Sequence, residues 1–354
     1  MNMNKKGLYA ITLILIVISI TLSPPLVAEE GSQSIELVAL QLEVSPELFS
    51  TAESLKEELK KLLEEAEGDL AHRDQRLVVL PEHLGLLMLF MEREGLLLAS
   101  GSKEGFFARF LLRHPFQFFQ IIRLKMGQGL SLTQALLLYQ QDHYVPPYFE
   151  IFSELAREYK VYLLAGTLPV TPSYLSDFLP SGLAPEGDPL SLYSYSILFD
   201  PRGRVVGIQP KVNLTSMEEE LGLSAAGLDE VRPISTPLGS LGVAICFDAF
   251  FPAYRERLCQ QGAEILLKPS ANPLPWSHRQ QQEWLGGASS SLKEGEFIYA
   301  VNPMLVGSLL DLSFEGQSSI LATPALKEQL KPEAEARGFF EFPLQPTFLK
   351  VSES

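Results

Sequence analysis

The run GVAICFDAFFP, residues 242–252, ends an apolar stretch in a cysteine and follows it at once with an acid, aromatics and a proline. A cysteine so placed can fill a core, as free cysteines often do. It can also stand as a thiolate nucleophile at the top of a strand. As a nucleophile, Cys246 needs a base to take its proton and a positive group to hold the oxyanion formed at an attacked carbonyl. Histidine is the usual base, but the five histidines are scattered and only His83 sits at a strand-like end. Two other strand ends offer the missing groups. LVVLPEH places Glu82 behind an apolar run and a proline, where a carboxylate has poor access to water, as suits a general base. GRVVGIQPKVNL places Lys211 just beyond another run, with an acidic cluster following in VNLTSMEEELG. A lysine beside Cys246 would favour the thiolate and then stabilise a tetrahedral oxyanion. Singly, the glutamate reads as a surface-loop residue and the lysine as a solvated one. Together the three make a complete set for acyl transfer through a thioester.

Groups that act together must converge, and strand ends converge at one rim of a sheet. From about residue 34, β-rich runs alternate with helical stretches. SIELVALQLEV, RLVVLPE, VYLLAGTL, LYSYSILFD, RVVGIQP, LGVAIC, EILLKPS, FIYAVN and SSILATP read as strands. TAESLKEELKKLLEEAEGDL has helical spacing behind a capping Thr51, and further helices are predicted over 150–159, 253–261 and 278–293. The alternation argues for an α/β sandwich around one core, without a linker dividing 34–345, and with 346–354 as a C-terminal tail. Two segments break the rhythm. Residues 169–191, rich in proline, glycine and serine, read as a long surface excursion. Residues 84–149 read as amphipathic, strongly aromatic helices. These form either a lid packed on the sandwich or an apolar cover that meets substrate, membrane or a second subunit.

These motifs, in this order, resemble the nitrilase superfamily of carbon-nitrogen hydrolases from about Glu36 to Ala325. LVVLPEH is similar to the family's strand and catalytic glutamate, PKVNL to its lysine motif, and GVAICFDAFFPAYRERLCQQGAEILLKPSAN to its cysteine motif with the following helix and strand. DLSFEGQSSILATP resembles its late strand pair. The resemblance implies a four-layer α-β-β-α sandwich and a Glu-Lys-Cys triad of Glu82, Lys211 and Cys246. It implies the backbone N–H of Phe247 as a second oxyanion donor and Glu219, flanked by Glu218 and Glu220, as the residue positioning Lys211. Asp248 matches an acid that shapes the turn. Ser194 and Asn213 stand where relatives often carry asparagine and histidine, and with Trp276 they are candidate pocket residues. The implied reaction is hydrolysis of a small-molecule amide in a homo-oligomeric enzyme, with no metal and no organic cofactor. An N-acyltransferase resembling apolipoprotein N-acyltransferases is the alternative within the class. A catalytically idle surface-binding protein is the alternative outside it, and the intact triad argues against that.

The net charge of −15 and the lack of a lysine-arginine cluster in the sequence disfavour nucleic acid and anionic lipid headgroups as partners. Residues 1–28 carry a basic start, an uncharged apolar run from Gly7 to Leu22, a Pro-Pro break and Ala28, which reads as a secretory signal or membrane anchor. Export is therefore expected, with membrane contact through 7–22 and 84–149. The two cysteines are expected to be free thiols, because Cys259 falls three turns along the helix that follows Cys246.

Overall fold

Along β1 (Glu36–Val44) the side chains alternate between two different cores, and that alternation sets the architecture. In this computed structural model, which describes residues 35–66, 76–293, 297–322 and 347–352, Val38, Leu40 and Leu42 enter one apolar cluster while Leu37 and Ala39 enter another. The segment 1–28, expected as a signal or anchor, lies outside the described residues.

The strands that follow are β2 (Arg76–Val79), β3 (Tyr162–Leu164), β4 (Leu168–Val170), β5 (Tyr193–Phe199), β6 (Val205–Pro210), β7 (Ile234–Thr236) and β8 (Gly239–Val243). They continue with β9 (Ile265–Leu267), β10 (Ser270–Ala271), β11 (Tyr299–Asn302), β12 (Met304–Leu309), β13 (Leu312–Phe314), β14 (Ser319–Ala322) and β15 (Thr347–Ser352). One sheet runs β10-β12-β1-β2-β3-β5-β4, with β13 on β12, β15 on β1 and β6 on β5. The second runs β14-β11-β9-β8-β7. The helices are α1 (Ala52–Ala66), α2 (Leu84–Leu87), α3 (Glu94–Leu98), α4 (Lys103–Arg113), α5 (Pro115–Gln128), α6 (Leu132–Tyr139), α7 (Gln141–Tyr159), α8 (Pro172–Ser176), α9 (Ser216–Glu220), α10 (Pro252–Gln260) and α11 (His278–Lys293).

Three apolar clusters define four layers. Leu55 and Leu59 of α1 and Phe152 and Leu155 of α7 pack on Val38, Val78 and Leu163 of the first sheet. The opposite face of that sheet, with Leu37, Leu77, Val79 and Leu164, meets Leu241, Val243, Ile265 and Val301 of the second. Tyr254 and Leu258 of α10 and Leu292 of α11 cover Ala244, Leu266 and Ala300 on the far side. Each such aliphatic side chain contributes about 1.5–3 kcal/mol on burial, which makes the stacking of layers the dominant favourable term. The chain is thus an α-β-β-α sandwich, as its resemblance implies; the alternation alone predicts an α/β sandwich around one core, where the structure has three apolar clusters.

Local chemistry differs from the sequence reading in several places. VYLLAGTL is two strands rather than one, parted at Gly166. There φ is +68°, and a Cβ would lie 2.1 Å from the Pro81 carbonyl oxygen. Only glycine lets the turn before Glu82 rest so closely on this bend. EILLKPS is also split: Lys268 still donates its N–H to Val301 in the second sheet. Pro269 has no N–H to continue the ladder, and Ser270–Ala271 pair with β12 of the first sheet. Residues 346–354, expected as a tail, carry β15, antiparallel to Glu36–Gln41. Helix α7 starts at Gln141, not 150, because Pro146 and Pro147 lie inside it rather than ending it. The 84–149 segment is helical and packs inward through Phe106, Phe110, Tyr144 and Tyr148, as a lid on the sandwich would.

Candidate active site

Three loops that leave strand ends, with the segment after β10 and helix α11, line one cavity of about 520 Å³; its walls include Glu82, His83, Lys211, Cys246, Phe247, Phe250, Asn272 and Trp284. Glu82 follows β2 and Pro81. Its turn is fixed by Thr167, whose Oγ1 accepts the His83 N–H at 2.9 Å and whose carbonyl accepts the Gly85 N–H at 2.8 Å. His83 takes a left-handed φ of 69° to complete that turn, and its Nε2 lies 3.6 Å from Glu82 Oε2. Lys211 follows β6, and its own N–H donates to the Ser194 carbonyl of β5 at 2.9 Å. Cys246 stands two residues past Ile245's neighbour Ala244, and strand-like bonding carries on to it: its N–H donates to the Pro269 carbonyl at 2.9 Å.

The backbone turns sharply at the cysteine. Cys246 has φ 48°, a conformation that costs a side-chain-bearing residue about 1–3 kcal/mol and gathers at functional sites. It opens a 3₁₀ turn through Phe250, so the N–H groups of its first residues have no partner inside the turn. The Sγ lies 3.6 Å from the Ala271 carbonyl oxygen.

Charge in the cavity is concentrated on Lys211. Its Nζ donates to Glu82 Oε1 at 2.6 Å and to Glu218 Oε1 and Oε2 at 2.7 and 2.8 Å. All three side chains are buried. Burial works against an ammonium, but the charges of Glu82, Cys246 and Glu218 outweigh it and hold Lys211 well above the usual lysine range. Glu218 is held below the usual carboxylate range: burial is opposed by Lys211, His83 and its hydrogen bonds. Burial and the Glu82 charge push the Cys246 thiol far up, with Lys211 and Lys268 pulling the other way. Glu82, His83 and Glu218 have the donor density of a cation site, their ligand atoms lying within 4.8 Å of one another. The cation between the two carboxylates is the Lys211 ammonium.

The structure brings Glu82, Lys211 and Cys246, read from the strand ends, and Phe247, implied by the resemblance, to one cavity, and it places the supporting residues differently. Glu218, not Glu219, holds Lys211. Helix α9 begins with a capping box in which Glu218 Oε2 accepts the Thr215 N–H and hydroxyl, both at 2.9 Å. That turns Glu218 inward, and Glu219, about 100° further round, faces solvent. The signature T-x-x-E at 215–218 was available in the sequence. Ser194 and Asn213 do not line the cavity; they anchor its walls. Ser194 receives the Lys211 backbone bond, and Asn213 donates its N–H and Nδ2 to Asp248 Oδ1 at 2.7 and 2.8 Å. Asp248 thereby ties the lysine loop to the cysteine turn, as expected of a shaping acid, and burial pushes its carboxyl up to about 7. Trp276 lies one ring behind the wall: Trp284, 6.4 Å from it, faces the cavity.

One group escaped sequence reading altogether. Lys268 is fully buried between the rings of Phe250 and Trp284, at 4.3 and 4.2 Å from their centroids, and its Nζ lies 3.4 Å from the Trp284 carbonyl oxygen. A lysine inside the run EILLKPS has no helical or strand pattern to betray a role, only the oddity of a charge in an apolar strand.

Comparisons with known proteins identify the family and the fold. Residues 39–324 match the carbon-nitrogen hydrolase family. Nitrilase 3 of Arabidopsis thaliana is 26% identical over 203 residues, covering 54% of each chain. The omega-amidase NIT3 of Saccharomyces cerevisiae is 29% identical over 138 residues, covering 36% of this chain and 43% of that one. The chain thus spans about half the length of these relatives in the matched regions. A solved Saccharomyces cerevisiae member of branch 10 of the nitrilase superfamily shares the fold with a TM-score of 0.56, at 18% identity over 91% of both chains. Because the match runs through both sheets and all three strand ends that meet in the cavity, the chain belongs to the carbon-nitrogen hydrolase family.

Proposed function

We propose that the protein hydrolyses the carbon-nitrogen bond of a small amide through a thioester on Cys246. The observation that carries this reading is the Lys211 ammonium, held between Glu82 and Glu218 in the cavity that also receives the cysteine. Glu82 takes the proton from Sγ as sulfur bonds the carbonyl carbon. The carbonyl oxygen takes the negative charge, met by Lys211 and the Phe247 N–H. Collapse of the tetrahedral adduct breaks the C–N bond while Glu82 returns its proton to the departing nitrogen. Water then attacks the thioester, Glu82 takes one of its protons, the C–S bond breaks and the sulfur regains a proton.

Support for an apolar substituent on the substrate comes from a second chamber of about 210 Å³ that shares His83 and Met217 with the main cavity. Its other walls include Leu87, Phe90, Phe107, Leu137 and Phe314. The 84–149 helices supply much of that wall. The test is release of ammonia or amine from a panel of amides of increasing alkyl length, with intact-mass analysis. Wild type is expected to turn over amides and to show an acyl adduct, and Cys246→Ala to do neither. Turnover that survives Cys246→Ala would refute the mechanism.

A further inference from the structure

We infer that the α4–α5 hairpin is a docking face for the surface of an anionic phospholipid bilayer. Its four most exposed large apolar side chains are Leu112 at 82%, Phe116 at 72%, Phe119 at 62% and Met126 at 78%; Phe118 is 41% exposed. Within α5, positions 116, 119, 123 and 126 fall along one side of the helix, opposite the buried Ile121. The hairpin is anchored from behind by Phe106 and Phe110, so this face is presented by a packed element. None of the four residues lines the catalytic cavity or the chamber beside it, so they are not a cover over substrate.

Charge selects the occupant. The whole-chain balance of 43 acidic against 28 basic residues disfavours anionic lipid, but locally it reverses: residues 103–128 hold five basic side chains and one acidic one, and of the five Lys103 pairs with Glu104 and Asp311. Arg109, Arg113 and Arg123 are exposed around the apolar face. Apolar and aromatic groups framed by arginines suit a helix lying in the headgroup layer, with the long cationic side chains reaching phosphates while the rings enter the acyl boundary. Among the described residues no helix is long and apolar enough to cross a membrane, so the contact is with the surface. A second copy of the chain would set these arginine rims against each other, whereas an anionic surface neutralises them. Each arginine near such a surface strengthens binding roughly fivefold, an effect that salt screens.

Hydrogen exchange and co-sedimentation of the full-length chain, with vesicles of phosphatidylcholine alone or mixed with phosphatidylglycerol, test the inference. The mixed vesicles are expected to slow exchange within 103–128, and high salt to reverse this. The pairs Phe116→Ser with Phe119→Ser, and Arg113→Glu with Arg123→Glu, are each expected to weaken binding roughly tenfold or more. Amide turnover in solution and exchange elsewhere in the chain should stay as in wild type. Four results would overturn the inference: equal binding to neutral vesicles, no binding, binding that leaves 103–128 unprotected, or self-association that the serine pair abolishes.

Discussion

Replacing Lys268 by methionine is expected to stabilise the protein at neutral and acidic pH and to leave its stability almost unchanged above pH about 10.5. The buried ammonium faces two rings and one carbonyl, and burial lowers its pKa from 10.5 to about 7. Above the unfolded value neither state is protonated and burial carries no charge penalty. As pH falls from 10.5 towards 7, the unfolded chain takes up a proton that the folded chain does not, and stability is lost by about 1.4 kcal/mol per pH unit. Below 7 both states are protonated and the loss levels off at roughly 5 kcal/mol. The rings return about 0.5–2 kcal/mol as cation–π attraction. Methionine keeps the length and apolar stem and removes the titration, so a net gain of about 3 kcal/mol is expected near pH 6, read as a shift in denaturant midpoint. Denaturation curves of both proteins at pH 6, 8 and 10 give the comparison. Parallel pH profiles for the two would show that Lys268 titrates normally and would refute the reasoning.

Glu218→Gln leaves Lys211 with one carboxylate instead of two and is expected to lower kcat by about ten- to a hundredfold with a smaller change in KM, while Glu219→Gln stays within about twofold; steady-state kinetics on a turned-over amide separate them. Gly166→Ala puts a methyl into the Pro81 carbonyl at a left-handed backbone position. It is expected to cost about 2–4 kcal/mol and to move the Glu82 turn, seen as a lower thermal midpoint together with lost activity.

Strands whose apolar runs were bounded by proline or turn residues were legible in the sequence, and so were the groups at their ends. Glu82, Lys211 and Cys246 each follow such a run, which is why residue type and position nominated them together and the family resemblance then named them as a triad. Residues whose roles depend on side-chain direction were not. Glu218 and Glu219 differ by one position in an acidic cluster, and only the Thr215 cap decides which one turns inward. Ser194 contributes its carbonyl, a group every residue possesses, so its identity carries no signal. Pro146 and Pro147 in α7 argue locally for a break, and packing of Tyr144, Tyr148 and Phe152 into the core overrides them. β15 is paired with a strand some three hundred residues away in sequence, a contact that no local pattern announces.

The strand ends that meet at Cys246 belong to different sheets. Glu82 and Lys211 leave β2 and β6 of the larger one, Cys246 leaves β8 of the smaller one, and the chain steps between the two at Pro269. On the proposed mechanism, neither sheet, however well formed, contains a working set of groups. Catalytic competence therefore measures the registry between the sheets: a state that keeps its hydrogen-bonded ladders but lets one sheet slide over the other would look folded by secondary structure and be inert by assay. In this architecture, loss of activity on heating or in mild denaturant should come before loss of β-structure, and the active site serves as the most sensitive gauge of how the halves of the sandwich sit together.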